Sequence, residues 1–292
     1  MVRSHQLPFL LCQHYQLPWV LERSFKLEVG RGLLSDRYVL GVPAEAIIAD
    51  CLVAIIRDLG MPADKPGLTE RLKSELSRAT TVYFGYEGVA KGSGSLRLYF
   101  EYWDEVVTRL KATPASVIRG WATADRPLWE MGVGYKWHVD ETRPKTINSL
   151  YRSDYWVQPM LPQAEILKQT NITVLRSGMD PEIQIMVKDI IAIILSSSPE
   201  IDPVLLQASE IDSPRDSIDL CVHRYNLRLS QLEHRFLPIL QSFLGMRWSL
   251  SDCLKGRSSD AWITHLSTGI SRNGAPYIGL YYESLDSSEP LI

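Results

Sequence analysis

Thr80-Thr-Val-Tyr-Phe-Gly-Tyr86 and Ser95-Leu-Arg-Leu-Tyr-Phe-Glu-Tyr102 are two runs rich in aromatic and β-branched residues, the types that favour β-strands. Three glycines between them, Gly88, Gly92 and Gly94, mark a turn. Helical patterns lie on both sides of the two runs. The stretch therefore predicts an antiparallel hairpin placed between helices.

The same arrangement of two strand-like runs and a helix recurs four more times along the chain. The other predicted hairpins pair residues 25–29 with 36–42, 131–138 with 149–156, 204–211 with 217–226, and 261–270 with 276–282. Five hairpins interleaved with helices can close into an antiparallel barrel of about ten strands, whose interior is wider than side chains fill. We therefore predict an α+β fold, a ten-stranded barrel surrounded by helices, as a single domain over residues 1–292.

The charge balance argues against a nucleic-acid-binding surface, since the chain has 31 Lys and Arg against 34 Asp and Glu and no basic run. Its four cysteines are widely spaced and form no CxxC pair, which indicates neither a zinc ribbon nor a disulfide framework. The N-terminal apolar patch lacks the features of a signal peptide, and charges interrupt the two most apolar stretches. We therefore expect a cytoplasmic protein that binds neither nucleic acid nor membrane.

Strand side chains alternate between two faces, so residues two apart lie on the same face. The second strand of four successive hairpins places a tyrosine two residues after a cationic, polar or small residue. The four pairs are Arg97 with Tyr99, Ser153 with Tyr155, His223 with Tyr225, and Gly279 with Tyr281. An outward-facing polar row would explain any single pair, but the repetition favours a cluster on the inner face of the barrel.

In their order along the chain, these motifs resemble the ABBA-type aromatic prenyltransferases, and within them the dimethylallyltryptophan synthase group. Gly274-Ala-Pro-Tyr-Ile-Gly-Leu-Tyr-Tyr282 is similar to that group's G-x-P-Y-x-x-V/L-Y-F/Y strand. Ser95-Leu-Arg-Leu-Tyr-Phe100 is similar to its K/R-x-Y-F strand, and Ser153-Asp-Tyr-Trp-Val-Gln-Pro159 to its K-x-Y-F-x-P strand with one residue inserted. Phe25-Lys-Leu-Glu28 and Asp36-Arg-Tyr-Val-Leu-Gly-Val-Pro43 resemble its opening pair of strands.

The resemblance implies an enzyme of secondary metabolism that transfers a prenyl group, dimethylallyl first of all, from its diphosphate to an aromatic acceptor such as an indole or phenol. Glu28 would be the catalytic residue that holds or deprotonates the acceptor, although a surface glutamate on an edge strand would explain this residue equally well. The diphosphate would bind Arg37, Arg97, Lys26, Lys136 and His223. The rings of Tyr99, Tyr155, Tyr225 and Tyr281 would shield the carbocation. The resemblance implies no required cofactor and no metal ligands, and Mg²⁺ could accompany the diphosphate.

Two positions depart from the family's pattern. Ser153 and His223 stand where the group usually has lysine before the tyrosine. The cationic cluster is therefore expected to be thinner, or supplemented by Lys26, Lys136 or a metal ion. The chain also lacks a DDxxD motif, so a magnesium cluster of the terpene-synthase kind is not indicated.

Two other classes of function remain open. His138-Val-Asp140 is an H-x-D pair that could bind Fe(II) together with His223, His234 or His265, as in a 2-oxoglutarate-dependent oxygenase. Against that reading, no second histidine is followed by the Arg and Ser expected to bind the oxo acid, and Asp140 also suits a turn. The third class is a non-catalytic barrel that only binds an aromatic ligand. These patterns do not bear on oligomeric state.

Overall fold

The computed structural model describes residues 4–62, 65–89, 93–121, 127–140, 150–159, 161–197, 204–210, 213–244, 254 and 260–283. Its strands are β1 (Val20–Glu28), β2 (Gly32–Pro43), β3 (Thr81–Val89), β4 (Ser93–Glu101), β5 (Trp129–Asp140), β6 (Tyr151–Val157), β7 (Val204–Ser209), β8 (Asp216–Cys221), β9 (Trp262–Ile270) and β10 (Pro276–Glu283). Its α-helices are α1 (Leu7–His14), α2 (Ala49–Asp58), α3 (Leu68–Arg78), α4 (Trp103–Ala112), α5 (Ala115–Gly120), α6 (Gln163–Arg176), α7 (Pro181–Ser197) and α8 (Leu229–Leu244). Within these ranges, no helix combines the length and the apolar character needed to cross a membrane.

The ten strands form a closed barrel in the order β1-β10-β9-β8-β7-β6-β5-β4-β3-β2. Strands that follow each other in the sequence therefore lie side by side, as in a series of hairpins. The pairings of β3 with β4, β5 with β6, β7 with β8, and β9 with β10 are antiparallel. The predicted α+β fold and ten-stranded antiparallel barrel are confirmed.

The described chain forms two compact units. The first contains residues 4–21 and 38–159, and the second contains residues 22–37 and 161–283. The expectation of a single domain over residues 1–292 stays a prediction.

In the first unit, helices α2 and α3 pack on one face of strands β3, β4 and β5. Strand β4 shows how the alternation works, because Leu96, Leu98 and Phe100 are buried in this core whereas Arg97 and Tyr99 lie on the opposite face. Burying an apolar side chain of this size stabilises the fold by about 1.5–3 kcal/mol. The helices therefore fix which face of each strand is left for polar residues.

In the second unit, helices α6, α7 and α8 pack in the same way against β1, β8, β9 and β10. Phe25 and Leu27 of β1 are buried in this core together with Ile278 and Leu280 of β10. The residues between and beside them, such as Lys26 of β1, lie on the opposite face of the strands. This face carries buried polar side chains of β1, Lys26 and Glu28 among them.

The fourth hairpin departs from the prediction at its second strand. The expected strand over 217–226 is wrong in its last part, since β8 ends at Cys221 and a 3-10 turn, His223–Tyr225, follows. Val222 and Tyr225 are both buried, a spacing of three that fits a 3-10 turn and not the alternation of a strand. Asn226 then adopts a left-handed conformation with φ 51°, which asparagine tolerates better than most residues and which ends the turn.

Candidate active site

The first group of predicted site residues surrounds Glu87, a glutamate of β3 whose side chain is only 3% exposed. Arg97 of β4 donates a hydrogen bond to one oxygen of Glu87, and Lys136 Nζ of β5 lies 2.9 Å from the other. Arg97 Nη1 also donates to the Tyr99 hydroxyl at 3.0 Å. The structure thus brings together two of the predicted diphosphate ligands and joins them through one buried carboxylate.

Strand pairing explains why these side chains meet. Arg97 lies opposite Lys136, and Tyr99 lies opposite Gly134, in the β4–β5 register. A side chain at Gly134 would begin 2.5 Å from Tyr99 Cδ1 and 3.1 Å from Tyr155 Cε2. Because glycine leaves this space open, the rings of Tyr99 and Tyr155 meet edge to face with their centres 5.7 Å apart.

Sequence reasoning missed Glu87. The alternation along β3 could have placed it on the same face as Arg97, since the hairpin register pairs Glu87 with Ser95 and Gly85 with Arg97. That register depends on how many residues form the turn, and three glycines between residues 87 and 95 leave several choices open. The alternation along β3 indicates which residues share a face with Glu87, but spacing alone does not give the register that brings Glu87 to Arg97.

A second pair of predicted residues meets in the second unit. Arg37 of β2 is buried, and its Nη2 donates to the hydroxyl of Tyr281 of β10 at 3.3 Å. Its guanidinium carbon lies 5.5 Å from the centre of the same ring, within the range of a cation–π contact. A side chain at Gly279 would begin 2.6 Å from Ser267 Oγ and 3.8 Å from Arg37 Nη1. Glycine therefore leaves room for the Ser267 hydroxyl beside Arg37 on this face of β10.

Glu28 is buried, in contrast to the surface position that the sequence left open, with 1% of its side chain exposed. It forms an ion pair with Lys26 and contacts Arg31 Nε at 3.2 Å. Asn273, in the turn between β9 and β10, donates a further hydrogen bond to it at 3.1 Å. Lys26 Nζ also lies 4.3 Å from the ring centre of Tyr277. The predicted catalytic glutamate and one predicted cation are thus direct partners.

His223 and Tyr225 lie away from the strand position that the motif suggested. Both belong to the 3-10 turn after β8, where the ring of Tyr225 is packed in the apolar core of the second unit. Gln163 Nε2 donates to the Tyr225 hydroxyl at 3.5 Å. His223 Nδ1 lies 2.9 Å from Cys221 Sγ. Burial, and after it the cations His265 and Arg224, lower the pKa of His223, which favours the neutral imidazole.

The H-x-D pair lies near the end of β5. His138 is exposed, and the centre of its ring lies 6.1 Å from that of Tyr151. The side chain of Asp140 lies outside the described residues. In the part of the chain that the structure describes, no group of three or more His, Cys, Asp or Glu residues is placed to hold a metal ion.

A hydrogen-bonded acid–base group occupies strands β1, β8 and β9 of the second unit. His265 Nδ1 lies 2.8 Å from Asp219 Oδ1, and its Nε2 lies 3.9 Å from Glu22 Oε1. Thr264 donates a hydrogen bond to the same Glu22 oxygen. The ring centre of His265 lies 5.8 Å from that of Tyr281, so this group adjoins the Arg37–Tyr281 pair.

Comparison with solved structures finds prenyltransferases. The chain is similar to AnaPT from Neosartorya fischeri at 10% identity and a TM-score of 0.48, with 94% of this chain and 80% of that chain covered. It is similar to 6-dimethylallyltryptophan synthase from Micromonospora olivasterospora, solved with DMASPP and Trp, at 13% identity and a TM-score of 0.48, over 90% and 81% of the two chains. It is also similar to NotF prenyltransferase at 12% identity and a TM-score of 0.49, over 91% and 80%. No protein-family model and no curated protein matches the sequence.

The sequence pointed to His265 only as an iron ligand, and it did not single out Asp219 or Glu22. Asp219 and His265 come from strands whose pairing, β8 with β9, puts Cys221 opposite His265. Glu22 joins them from β1, more than 190 residues earlier in the chain. Only the fold brings these three side chains together.

Proposed function

We propose that this protein is an aromatic prenyltransferase that moves a dimethylallyl group from its diphosphate to an aromatic acceptor, an indole or a phenol. The observation that carries the proposal is the placing of arginine–tyrosine pairs on the barrel strands, on the faces opposite the helical cores: Arg97 with Tyr99, and Arg37 with Tyr281. Both pairs lie on motifs that resemble the family. Such pairs offer a cation for a departing anion and a ring for a developing carbocation.

The arginines supply the first step. When the bond between the allylic carbon and the diphosphate oxygen breaks, its electron pair leaves with the oxygen, and guanidinium groups stabilise that charge by charge-assisted hydrogen bonds. Arg97 and Lys136 are held side by side by Glu87. Arg37 and Lys26, which pairs with Glu28, are the proposed diphosphate ligands of the second unit. His223 is the weakest of them, because its imidazole favours the neutral form.

The tyrosines protect the resulting carbocation. Tyr99 accepts a hydrogen bond from Arg97, and the ring centre of Tyr281 lies 5.5 Å from the Arg37 guanidinium carbon. Tyr155 meets Tyr99 edge to face. Each desolvated cation–π contact contributes on the order of 1–2 kcal/mol. The three rings also exclude the water that would trap the cation as an alcohol. Tyr225 packs in the apolar core instead, so the other three tyrosines carry this role.

Glu28 is proposed to hold the acceptor. A buried carboxylate can accept a hydrogen bond from an indole N–H or a phenol O–H and so orient the ring carbon that attacks the cation. Its existing partners, Lys26, Arg31 and Asn273, fix the position of the carboxylate. Attack forms the new carbon–carbon bond, and loss of a proton from the attacked carbon restores aromaticity.

The test is incubation of purified protein with dimethylallyl diphosphate and a panel of indoles and phenols, with and without EDTA, followed by mass spectrometry of the products. We expect prenylated product in both conditions, its loss in Arg97→Ala, and its retention in His138→Ala. Arg109→Ala, an exposed arginine of α4, is the matched control for loss of a positive charge.

Two results would overturn the proposal. Stoichiometric bound iron with turnover of 2-oxoglutarate, abolished in His138→Ala, would identify an oxygenase. Tight binding of aromatic ligands without consumption of any allylic diphosphate would identify a binding barrel.

A further inference from the structure

The acid–base group formed by Glu22, Asp219 and His265 has no part in the proposed ionisation of the allylic diphosphate. Glu22 lies on the same face of β1 as Lys26 and Glu28, because residues two and four apart share a face. His265 lies opposite Tyr281 in the β9–β10 register. The group is therefore located on the polar face of the second unit, next to a proposed cation-shielding ring.

A β-bulge builds this group. In the β9–β10 register Tyr281 pairs with His265 and Tyr282 with Ile263, so Thr264 is an extra residue of β9. A bulge turns consecutive side chains toward the same side of a strand, and bulges are common next to active sites. Thr264 and His265 consequently both approach Glu22, Thr264 through a hydrogen bond and His265 with Nε2 at 3.9 Å.

Asp219 fixes the orientation of the imidazole. The 2.8 Å contact between Asp219 Oδ1 and His265 Nδ1 places Nδ1–H toward the carboxylate and directs Nε2 toward Glu22. About a quarter of the His265 side chain is exposed, and about a sixth of the Glu22 side chain. The carboxylate of Glu22 is thus enclosed but still reachable by a ligand on this face.

The charges around Glu22 act in opposite directions. Burial raises its pKa above the ordinary value, Asp219 and Glu283 of β10 raise it further, and His265 together with the Thr264 hydrogen bond lowers it. Burial alone would lower the pKa of His265, but its acidic neighbours Cys221, Asp219 and Glu22 raise it well above the ordinary value. Burial lowers the pKa of His223, in the turn after β8, and the neighbouring His265 lowers it further. Tyr281 faces the imidazole from β10.

We propose that Glu22 is the proton acceptor of the prenyl transfer and that His265, held by Asp219, is a positioning residue that keeps the Glu22 carboxylate ionised in its enclosed site. This inference rests on the proposed function. Glu28 is less suited to take the proton, because Lys26, Arg31 and Asn273 already engage its oxygens.

The step balances without a co-reactant. The diphosphate has left with the electron pair of the broken carbon–oxygen bond, and the acceptor ring has formed the new carbon–carbon bond. The carbon–hydrogen bond at the attacked carbon then breaks, its electron pair returns to the ring, and the proton moves to a Glu22 oxygen. Release of that proton to solvent regenerates the carboxylate.

The pH profile of kcat tests the role of His265. Removing the cation in His265→Gln removes an interaction that favours ionised Glu22, so the acid limb of the profile should move to higher pH. His234→Gln, the same substitution at an exposed position of α8, should superimpose on the wild type.

Substitution of Glu22 tests the proton transfer itself. Glu22→Gln should lower kcat for product by about 10²–10⁴-fold, the usual contribution of a general base. Glu22→Asp keeps a carboxylate and should retain an intermediate rate. Circular dichroism of each variant checks that it is folded.

The outcomes separate the two proposals. If the wild type forms prenylated product but Glu22→Gln is as fast, or His265→Gln keeps the wild-type pH profile, the inference is wrong while the transferase stands. If the wild type forms no product, the function is wrong, and NMR titration of the His265 imidazole still tests the acid–base group. We expect a His265 midpoint well above the ordinary value for histidine, falling in Glu22→Gln. A His265 midpoint at the ordinary value for histidine, unchanged in Glu22→Gln, would show that these side chains do not form the proposed acid–base group.

Discussion

At the scale of single residues, the most informative side chain is Glu87, which lies between two cations of the proposed diphosphate site. Arg97 and Lys136 both pair with it, and it is almost completely buried. Without a ligand, a carboxylate here offsets the repulsion between the two positive groups. A diphosphate would bring its own negative charge to the same cations. Under the proposed function, Glu87 would therefore stabilise the free protein and compete with the diphosphate for these two cations.

This competition predicts opposite effects of Glu87→Gln on stability and binding. The variant leaves Arg97 and Lys136 close together without a counter-charge, so the free protein should lose about 1–3 kcal/mol of unfolding free energy. Inorganic pyrophosphate should raise the melting temperature of the variant more than that of the wild type. Thermal melts with and without pyrophosphate measure both effects.

The matched control for this prediction is Glu70→Gln, an exposed glutamate of α3. It should behave as the wild type in both measurements. Equal pyrophosphate shifts in Glu87→Gln and the wild type would show that Glu87 does not compete with an anion. A variant more stable than the wild type in buffer alone would contradict the charge argument as well.

At the scale of elements, the packing of strands β4, β5 and β6 depends on a glycine. Gly134 lets the rings of Tyr99 and Tyr155 cross over β5, where any side chain would clash with Tyr99. Gly134→Ala should therefore displace that ring, cost about 1–3 kcal/mol of stability as overpacking does, and slow prenyl transfer. Urea denaturation and the product assay measure the two effects.

A double-mutant cycle identifies the cause of that loss. In a Tyr99→Ala background the clashing ring is absent, so the added methyl group should cost much less stability than in the wild type. An equal cost in both backgrounds would mean that the backbone of β5, and not Tyr99, rejects the substitution.

The elements also show what could be predicted from the sequence. Hairpin β3–β4 could be predicted because aromatic and β-branched runs flank a glycine-rich turn, and its alternation correctly separated Arg97 and Tyr99 from Leu96, Leu98 and Phe100. The end of β8 could not, because a strand and a 3-10 turn both tolerate the mixed apolar and polar residues 222–225. The bulge at Thr264 left no mark in the spacing of β9.

The candidate site was less predictable than the fold for a related reason. Arg37, Arg97 and the tyrosines beside them stand on strands whose motifs resemble a known family. Glu87 pairs with Arg97 across one hairpin, and Glu22 meets His265 only through pairings of strands distant in the sequence. Side-chain contacts of this kind depend on register and on bulges, which periodicity does not specify.

At the scale of the whole molecule, closure of the barrel bears on how the chain unfolds. Each strand of the closed order has a hydrogen-bonded neighbour on either side, so loss of any hairpin would leave unpaired strand edges. The two compact units nevertheless have separate apolar cores, one containing Leu98 and the other Leu280. The single-domain prediction requires that closure couples the unfolding of both cores.

Truncation of one leucine in each core tests that coupling. Leu98→Ala and Leu280→Ala remove fully buried side chains, so each should cost about 2–5 kcal/mol. If the chain is one cooperative domain, both variants should shift the same single urea transition, with tryptophan fluorescence and far-ultraviolet circular dichroism coinciding. Exposed Leu175→Ala of α6 is the control and should leave the midpoint nearly unchanged. Two separate transitions, each moved by only one variant, would instead show that each core unfolds independently, because the strand pairing around the barrel would then be too weak to link them.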